Sequence, residues 1–386
     1  MRRQNLIKFC IVSFVSLLLI TNASAEQTFV EKDATTAELL IKQKKYSEAL
    51  VLLTKHQDSG NADIEYNLGV LYEWGHGLNL DRAKSFRLYQ SASQKGHAKA
   101  DYALFTAYLA GRGVKRNDAK AYEYLIKSAN KKHTVALNAL ADSYWRGHFV
   151  QQDVKKAFEL FLEASQLGHS GSMYASALFY TSGIGVKKDA EEALYWFNKA
   201  AEAGHSHGQY YTGLIYAKGK TVAKDLSKAV YWLKKAATQG IHDAQLRVGL
   251  YYLGTDGHEI NNDEAIHWLG MAADNGNKDA QAIAGKMVYL GFEVEKDDKK
   301  AFGWLKSAAE SGIAQSQELL GYMYYEGKAT LQNTKRAYMW LTISASKGNA
   351  KAAENRDKLT EVMTLQTIAE AQEMAEKCVK NNLKDC

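Results

Sequence analysis

Apolar and polar positions along this chain alternate at helical spacing in short blocks, and the blocks come in pairs. Between Ser172 and Ser182 the apolar Ala175, Leu178 and Phe179 share one helical face, and Gly183-Ile184-Gly185 breaks the run. A second block opens at Asp189 and carries Ala193, Trp196 and Ala200 on to Gly204. This two-helix layout recurs at a fixed step. Tyr72, Tyr108, Tyr144, Tyr180, Tyr216, Tyr252 and Tyr324 mark a 36-residue ruler, with Val288 in the one slot that lacks tyrosine. Such a period means one supersecondary unit copied head to tail and stacked on its neighbours. The frame runs eight times between residues 62 and 349, so the pattern predicts an all-α fold. Arrays of this kind present a long surface to a partner and usually do no chemistry.

Other positions keep the same step. Three before each ruler slot stand Gly69, Ala141, Ala177, Gly213, Gly249, Gly285 and Gly321, with Phe105 as the exception. Small residues there let the paired helices close to roughly 8–10 Å between axes, where two large side chains cannot face each other. Larger rings fill the space between copies, among them Trp196, Trp232, Trp268, Trp304 and Trp340. Tyr hydroxyls and Trp N–H groups are expected to reach water or a carbonyl at the edge. The second helix of each pair opens at Asp81, Asn117, Asp153, Asp189, Asp225, Asn261, Asp297 or Asn333. Their side-chain oxygens can accept a free amide of the first turn, a cap worth about 1 kcal/mol. Gly96, Gly168, Gly204, Gly240, Gly276, Gly312 and Gly348 close that helix. Lys132 holds this slot in the second copy, where the pattern predicts an irregular turn.

The ends depart from the array. Residues 1–25 combine Arg2, Arg3 and Lys8 with an apolar stretch from Phe9 to Ile20 and Ala23-Ser24-Ala25. That order predicts a Sec-type signal cleaved after Ala25 and an exported chain, periplasmic or secreted. Residues 26–61 read as N-terminal capping helices, and residues 350–386 as C-terminal capping helices with polar outer sides, as solubility requires. No later stretch is apolar enough to insert in a membrane.

Charge and cysteines narrow the partners. The 49 basic and 43 acidic residues differ by only three once Arg2, Arg3 and Lys8 are removed, too mild a balance to argue for nucleic acid. Cys378 and Cys386 would remain after cleavage, and an even pair in an oxidising compartment invites a disulfide, with Asn381-Asn382 able to turn the tail back. The alternative is two free thiols on a frayed tail.

Two patterns tempt a catalytic or metal assignment. His97, His133, His169 and His205 obey the ruler, but equivalent residues in neighbouring copies sit one helix-pair spacing apart, too far to share an ion. We read them as turn residues and expect no metal or cofactor. Ser128-Ala-Asn-Lys131 and Ser344-Ala-Ser-Lys347 match S-x-x-K of penicillin-recognising serine enzymes, but S-D-N and K-T-G are missing. Small residues and lysine at that point are what the repeat itself asks for.

As a set, these positions resemble the Sel-one-like repeat family, relatives of the tetratricopeptide repeat. The pattern L-G-x-x-Y-x-x-G-x-G-V, followed by D-x-x-x-A-x-x-W-x-x-x-A-A-x-x-G, is met well from Leu178 to Gly204 and from Leu214 to Gly240. It departs at Phe105, Lys132 and Val288, and in the loop Thr255-Asp256-Gly257-His258. The resemblance implies a right-handed superhelical α-solenoid of antiparallel helix pairs, in which the first helix of each pair lines a concave groove. Carried over through the small-residue slot, the groove positions are Tyr66, Tyr102, Asn138, Tyr174 and Tyr210, with Asp142, Trp145, Tyr289 and Tyr325 further along the same helices. The competing reading is that these aromatics pack between helices as core. The resemblance further implies an exported scaffold or adaptor, expected to be monomeric, that binds a protein or peptide. It would act as a periplasmic regulator or as a secreted factor meeting host proteins; the alternative is a weak cell-wall or β-lactam hydrolase.

Overall fold

The structure, a computed structural model, describes residues 27–384 and Cys386; the stretch read as a signal lies outside them. Described residues form helices and turns without strands, in two compact units divided between Ala193 and Leu194.

The first unit opens with α1 (27–42) and α2 (Tyr46–Lys55). Asp33 ties the two together, 2.8 Å from His56 and 3.1 Å from Lys55. Three complete pairs follow: α3 (Ala62–Trp74) with α4 (Arg82–Gln94), α5 (Ala98–Ala110) with α6 (Asp118–Asn130), and α7 (Thr134–Arg146) with α8 (Val154–Gln166). Then come α9 (Ser170–Ser182) and the start of α10 (Ala190–Glu202). Leu104, Leu125, Leu137, Phe158, Phe161 and Phe179 belong to one continuous apolar core here. Phe105 is accommodated by it: the ring is buried and sits 5.4 Å from Tyr102.

The second unit takes up α10 and continues with α11 (Ser206–Lys218) and α12 (Leu226–Thr238), α13 (His242–Tyr252) and α14 (Asn262–Asp274), α15 (Lys278–Leu290) and α16 (Asp298–Glu310), and α17 (Ala314–Glu326) and α18 (Thr334–Ser346). It closes with α19 (Ala350–Thr360) and α20 (Leu365–Lys380). Beyond α20 the chain turns back, Leu383 N–H reaching Cys378 O at 2.9 Å, and Cys378 is bonded to Cys386 with Cα atoms 5.3 Å apart.

Two contacts explain the ruler. First, the main-chain amide of every second-helix cap donates to the carbonyl of the ruler residue nine positions earlier. The distances run from 2.8 Å at Asn261 to Tyr252 up to 3.2 Å at Asp297 to Val288. Because the acceptor is backbone, valine serves there as well as tyrosine. The same Asp and Asn side chains then accept the third amide of the helix, as at Lys84, Lys156 and Glu264. Second, the glycines of the small-residue slot each meet a large side chain of the partner helix. A Cβ on Gly249 would stand 2.5 Å from Leu269 Cγ, and Gly213, Gly285 and Gly321 are as closely met by Leu233, Leu305 and Leu341. Four tryptophans differ from expectation: Trp268 donates to Glu264 at 2.8 Å and Trp304 to Asp274 at 3.0 Å, carboxylates in place of carbonyl or water, while the buried N–H groups of Trp196 and Trp340 find no partner among the described residues.

Two irregularities have local causes. The turn at Lys132 is regular after all: Lys132 itself adopts the left-handed conformation, φ +60°, and its N–H keeps the bond to Ala129 O. At α13 the glycine that ends other first helices is replaced by Thr255. The helix stops two residues short, and Gly254 takes the positive φ ahead of a single 3-10 turn.

Gly249→Val should lower unfolding stability by more than about 2 kcal/mol by overpacking against Leu269, measured by denaturant titration. Lys132→Gly should raise it by about 0.5–1 kcal/mol, since left-handed strain is relieved and only an exposed ion pair to Glu163 is lost. A loss on Lys132→Gly would contradict the strain assignment.

Candidate functional site

The predicted groove residues lie on the first helices of their pairs, and the structure shows what each touches. Tyr66 on α3 stacks on His97 with ring centroids 4.6 Å apart. Tyr102 on α5 meets His133 edge-on at 5.4 Å. Asn138 on α7 accepts a bond from Ser172 Oγ at 2.9 Å, and Ser172 in turn lies 2.9 Å from His169 Nδ1. In three successive copies the same slot therefore packs against the opening turn of the next copy. Burial pushes the Tyr66 hydroxyl up to about 12, with Glu38 and Glu73 adding to it, and raises that of Tyr102. Tyr66 and Tyr102 are thus partly consumed by packing between copies, while Asn138 keeps its amide NH2 without a partner among the described residues.

Asp142 and Trp145 follow Asn138 at helical spacing on α7, so the three share a face. Asp142 pairs with Arg146 at 2.7 Å, its side chain 45% exposed. Trp145 lies edge-on to Phe179 of α9 at 5.0 Å and stays half-buried. Tyr174, also half-buried, is on α9. The structure thus brings Asn138, Asp142 and Trp145 onto one surface of α7 whose neighbour is α9. Tyr210 belongs to the second unit, edge-on to Tyr211 at 5.5 Å. Tyr289 is buried and donates to Glu326 at 2.9 Å, so it offers little to a ligand, whereas Tyr325 is exposed.

The histidine ladder has a defined job. His97, His169 and His205 precede α5, α9 and α11, and their Nδ1 atoms accept the amides of Ala100, Ser172 and Gly208 at 3.0–3.1 Å. In other copies Asn61, Asn277 and Asn349 make the same cap. At His133 the Nδ1 atom meets Ser128 Oγ at 3.2 Å. Accepting at Nδ1 requires the neutral ring. Burial pulls the His97, His133 and His169 values below the ordinary range, and Asp63 opposes this only at His97.

Neither S-x-x-K pair forms a serine–lysine dyad. Ser128 Oγ donates to Ala98 O at 2.8 Å and Lys131 binds the buried Asp101 at 2.5 Å. Ser344 Oγ donates to Ala314 O, and Lys347 to Gly312 O, each at 2.7 Å. Both serines are buried and tie the end of a second helix to the start of the first helix of the same pair.

One further pattern keeps the ruler without announcing its role in the sequence. Gln209, Gln245, Gln281 and Gln317 each donate to a carbonyl eight residues earlier, Ala201, Ala237, Ala273 and Ala309, at 2.9–3.3 Å. They clamp the turn between one pair and the next. In the first unit Asp101 stands at this place, holding Ser93, Lys127 and Lys131.

Stacked antiparallel helix pairs with caps, small-residue crossings and turn clamps at one period define an α-solenoid repeat protein. The Sel1 repeat pattern matches residues 62–97, 98–133, 134–169, 170–205, 206–241, 242–277, 278–313 and 314–349, and the chain belongs to this family. A protective antigen present in uropathogenic Escherichia coli strains, displaying an SLR fold, is similar: 27% identity, 92% of this chain and 85% of that one covered, TM-score 0.50. A Sel1 repeat protein from Oxalobacter formigenes is 28% identical over 63% of this chain and 99% of its own, TM-score 0.56. No curated protein matches the chain. Sel1-repeat proteins are in general non-catalytic scaffolds for protein interaction. Among the described residues, no helix is long and apolar enough to cross a membrane.

The histidine caps carry a pH prediction. The folded state binds protons less readily at these rings than the unfolded chain does. Their contribution is therefore full above about pH 6.5 and is lost as the pH falls through the lowered folded values. Thermal melts should show the midpoint falling between about pH 7.5 and 5.5. The fall should shrink in a His97→Asn, His169→Asn variant, because asparagine caps without titrating; an undiminished fall would refute the assignment.

Proposed function

We propose that this chain is an exported Sel1-repeat scaffold that captures a protein or peptide partner on its first-helix surface. The centre of that surface is Tyr102, Asn138, Asp142, Trp145 and Tyr174, flanked by Tyr66; Tyr210 holds the corresponding position in the second unit. The observation that carries the reading is the α7 face, where an exposed carboxylate, a spare amide donor and a half-buried indole stand together. Such a mixture of aromatic anchor and polar rim is what concentrates binding energy at an interface.

Export is supported by the predicted leader of residues 1–25 and by the Cys378–Cys386 bond, which suits an oxidising compartment. Similarity to a protein described as a protective antigen favours a location at or beyond the cell envelope, periplasmic or secreted. The reading takes the chain to be a monomer, with no cofactor and no chemistry of its own.

Affinity capture with the purified chain, followed by identification of the retained proteins, tests this. The Asp142→Ala, Trp145→Ala double variant should retain the helical circular dichroism of the wild type and lose about tenfold or more in partner affinity. Unchanged capture would falsify the α7 surface as the docking centre. Export is checked separately by fractionation and by mass spectrometry of the N-terminus, which should begin at Glu26.

A further inference from the structure

The slot that Tyr66, Tyr102, Tyr174 and Tyr210 fill is held by Ala282 on α15. Beside this small residue a groove of about 390 Å³ runs between α15 and α17. Its walls are mainly apolar, built from Ile283, Met287, Leu290, Phe292 and Leu319. Leu290 is 48% exposed and Phe292 64%, so the wall continues onto the surface. Lys286 is the charged side chain of the lining; no carboxylate lines the groove, and none pairs with Lys286 among the described residues. One copy earlier on α13, Arg247 takes the position of Ile283 and is exposed, again without an ion pair among the described residues.

We propose that this groove docks a peptide segment presenting a bulky apolar side chain beside a carboxylate. The proposal rests on the reading of the chain as a peptide-binding scaffold and gives it a second, chemically specified site. The volume lies at the lower end of ligand-pocket sizes and suits one or two anchoring side chains. Covering Leu290 and Phe292 supplies the apolar gain, and the partner's charge is set by Lys286, the charged residue of the lining. A basic segment would place like charges against an apolar wall, where solvent screens them poorly. Ala282 is the smallest residue at this slot, which elsewhere holds Tyr66, Tyr102, Tyr174 and Tyr210 or the longer Asn138, Leu246 and Glu318, and it leaves open the space that a ligand takes here.

The test is selection of a displayed random-peptide library on the whole chain. Enriched peptides should carry Leu, Ile, Met or Phe adjacent to Asp or Glu. Their affinity should fall about tenfold or more on Ala282→Tyr, which installs the ring that other copies accommodate, and on the surface change Leu290→Glu, a second variant should the first fail to fold. Lys286→Glu should invert the charge preference, while Asp142→Ala with Trp145→Ala should leave these peptides bound. Enriched peptides without the apolar–acidic pattern, or bound equally by Ala282→Tyr and Leu290→Glu, overturn the groove and leave the scaffold reading standing. Enrichment of nothing overturns the groove as a peptide site, while the scaffold reading is decided by the affinity capture of proteins. A dimer of the wild-type chain that Ala282→Tyr abolishes overturns the peptide assignment in favour of a second copy.

Discussion

A single main-chain hydrogen bond, from the amide of an Asp or Asn cap to a carbonyl nine residues earlier, sets the geometry of each helix pair. It fixes where the second helix starts relative to the end of the first. The cap side chain then completes the first turn of that helix, so one residue both closes the loop and nucleates the second helix. With the loop length held, each glycine three before the ruler slot faces the partner-helix residue twenty positions later. Gly213 meets Leu233 and Gly321 meets Leu341 by the same arithmetic of the backbone.

That constraint divides the side chains into two classes. Positions that face the crossing or the turn are committed: leucines in the core, glutamines clamping the junctions, histidines and asparagines capping the first helices. Positions on the outer faces of the first helices are free to vary, and their variation is where a scaffold becomes specific. At the slot of Tyr66, three copies commit the side chain to the next copy's opening turn. Where Ala282 stands, no ring fills the space and a groove results. Binding surface in this fold is therefore made by omission as much as by addition.

The repeat frame was legible because its signals are local and physical. Asp and Asn at helix starts, glycine at helix ends and small residues at crossings each answer a backbone need at a fixed register. Val288 and Phe105 kept the frame, the first because the acceptor is a carbonyl and the second because the core made room for the ring. Lys132 departs from its expected irregular turn, since a left-handed lysine costs strain but does not break a turn held by its neighbours. The docking residues were only partly legible: helical spacing puts Tyr66, Tyr102 and Trp145 on first helices but does not say which rings are covered by the next copy. Gln209 and its equivalents carried the ruler in plain view, but glutamine has no single expected partner, so the clamp emerged only with the carbonyls in place. The Ala282 groove depended on an absence next to particular neighbours, which spacing alone does not reveal.

The most direct measurement is residue-resolved amide hydrogen exchange of the folded chain. The amides of Asp81, Asn117, Asp153, Asp225, Asn261, Asp297 and Asn333 all lie at the ends of loops, yet each is bonded to a carbonyl nine residues earlier. The account predicts that they exchange slowly, alongside the helix interiors, while the loop amides just before them exchange fast. Fast exchange at the cap amides, equal to that of their loop neighbours, would contradict the constraint on which the geometry of every pair depends.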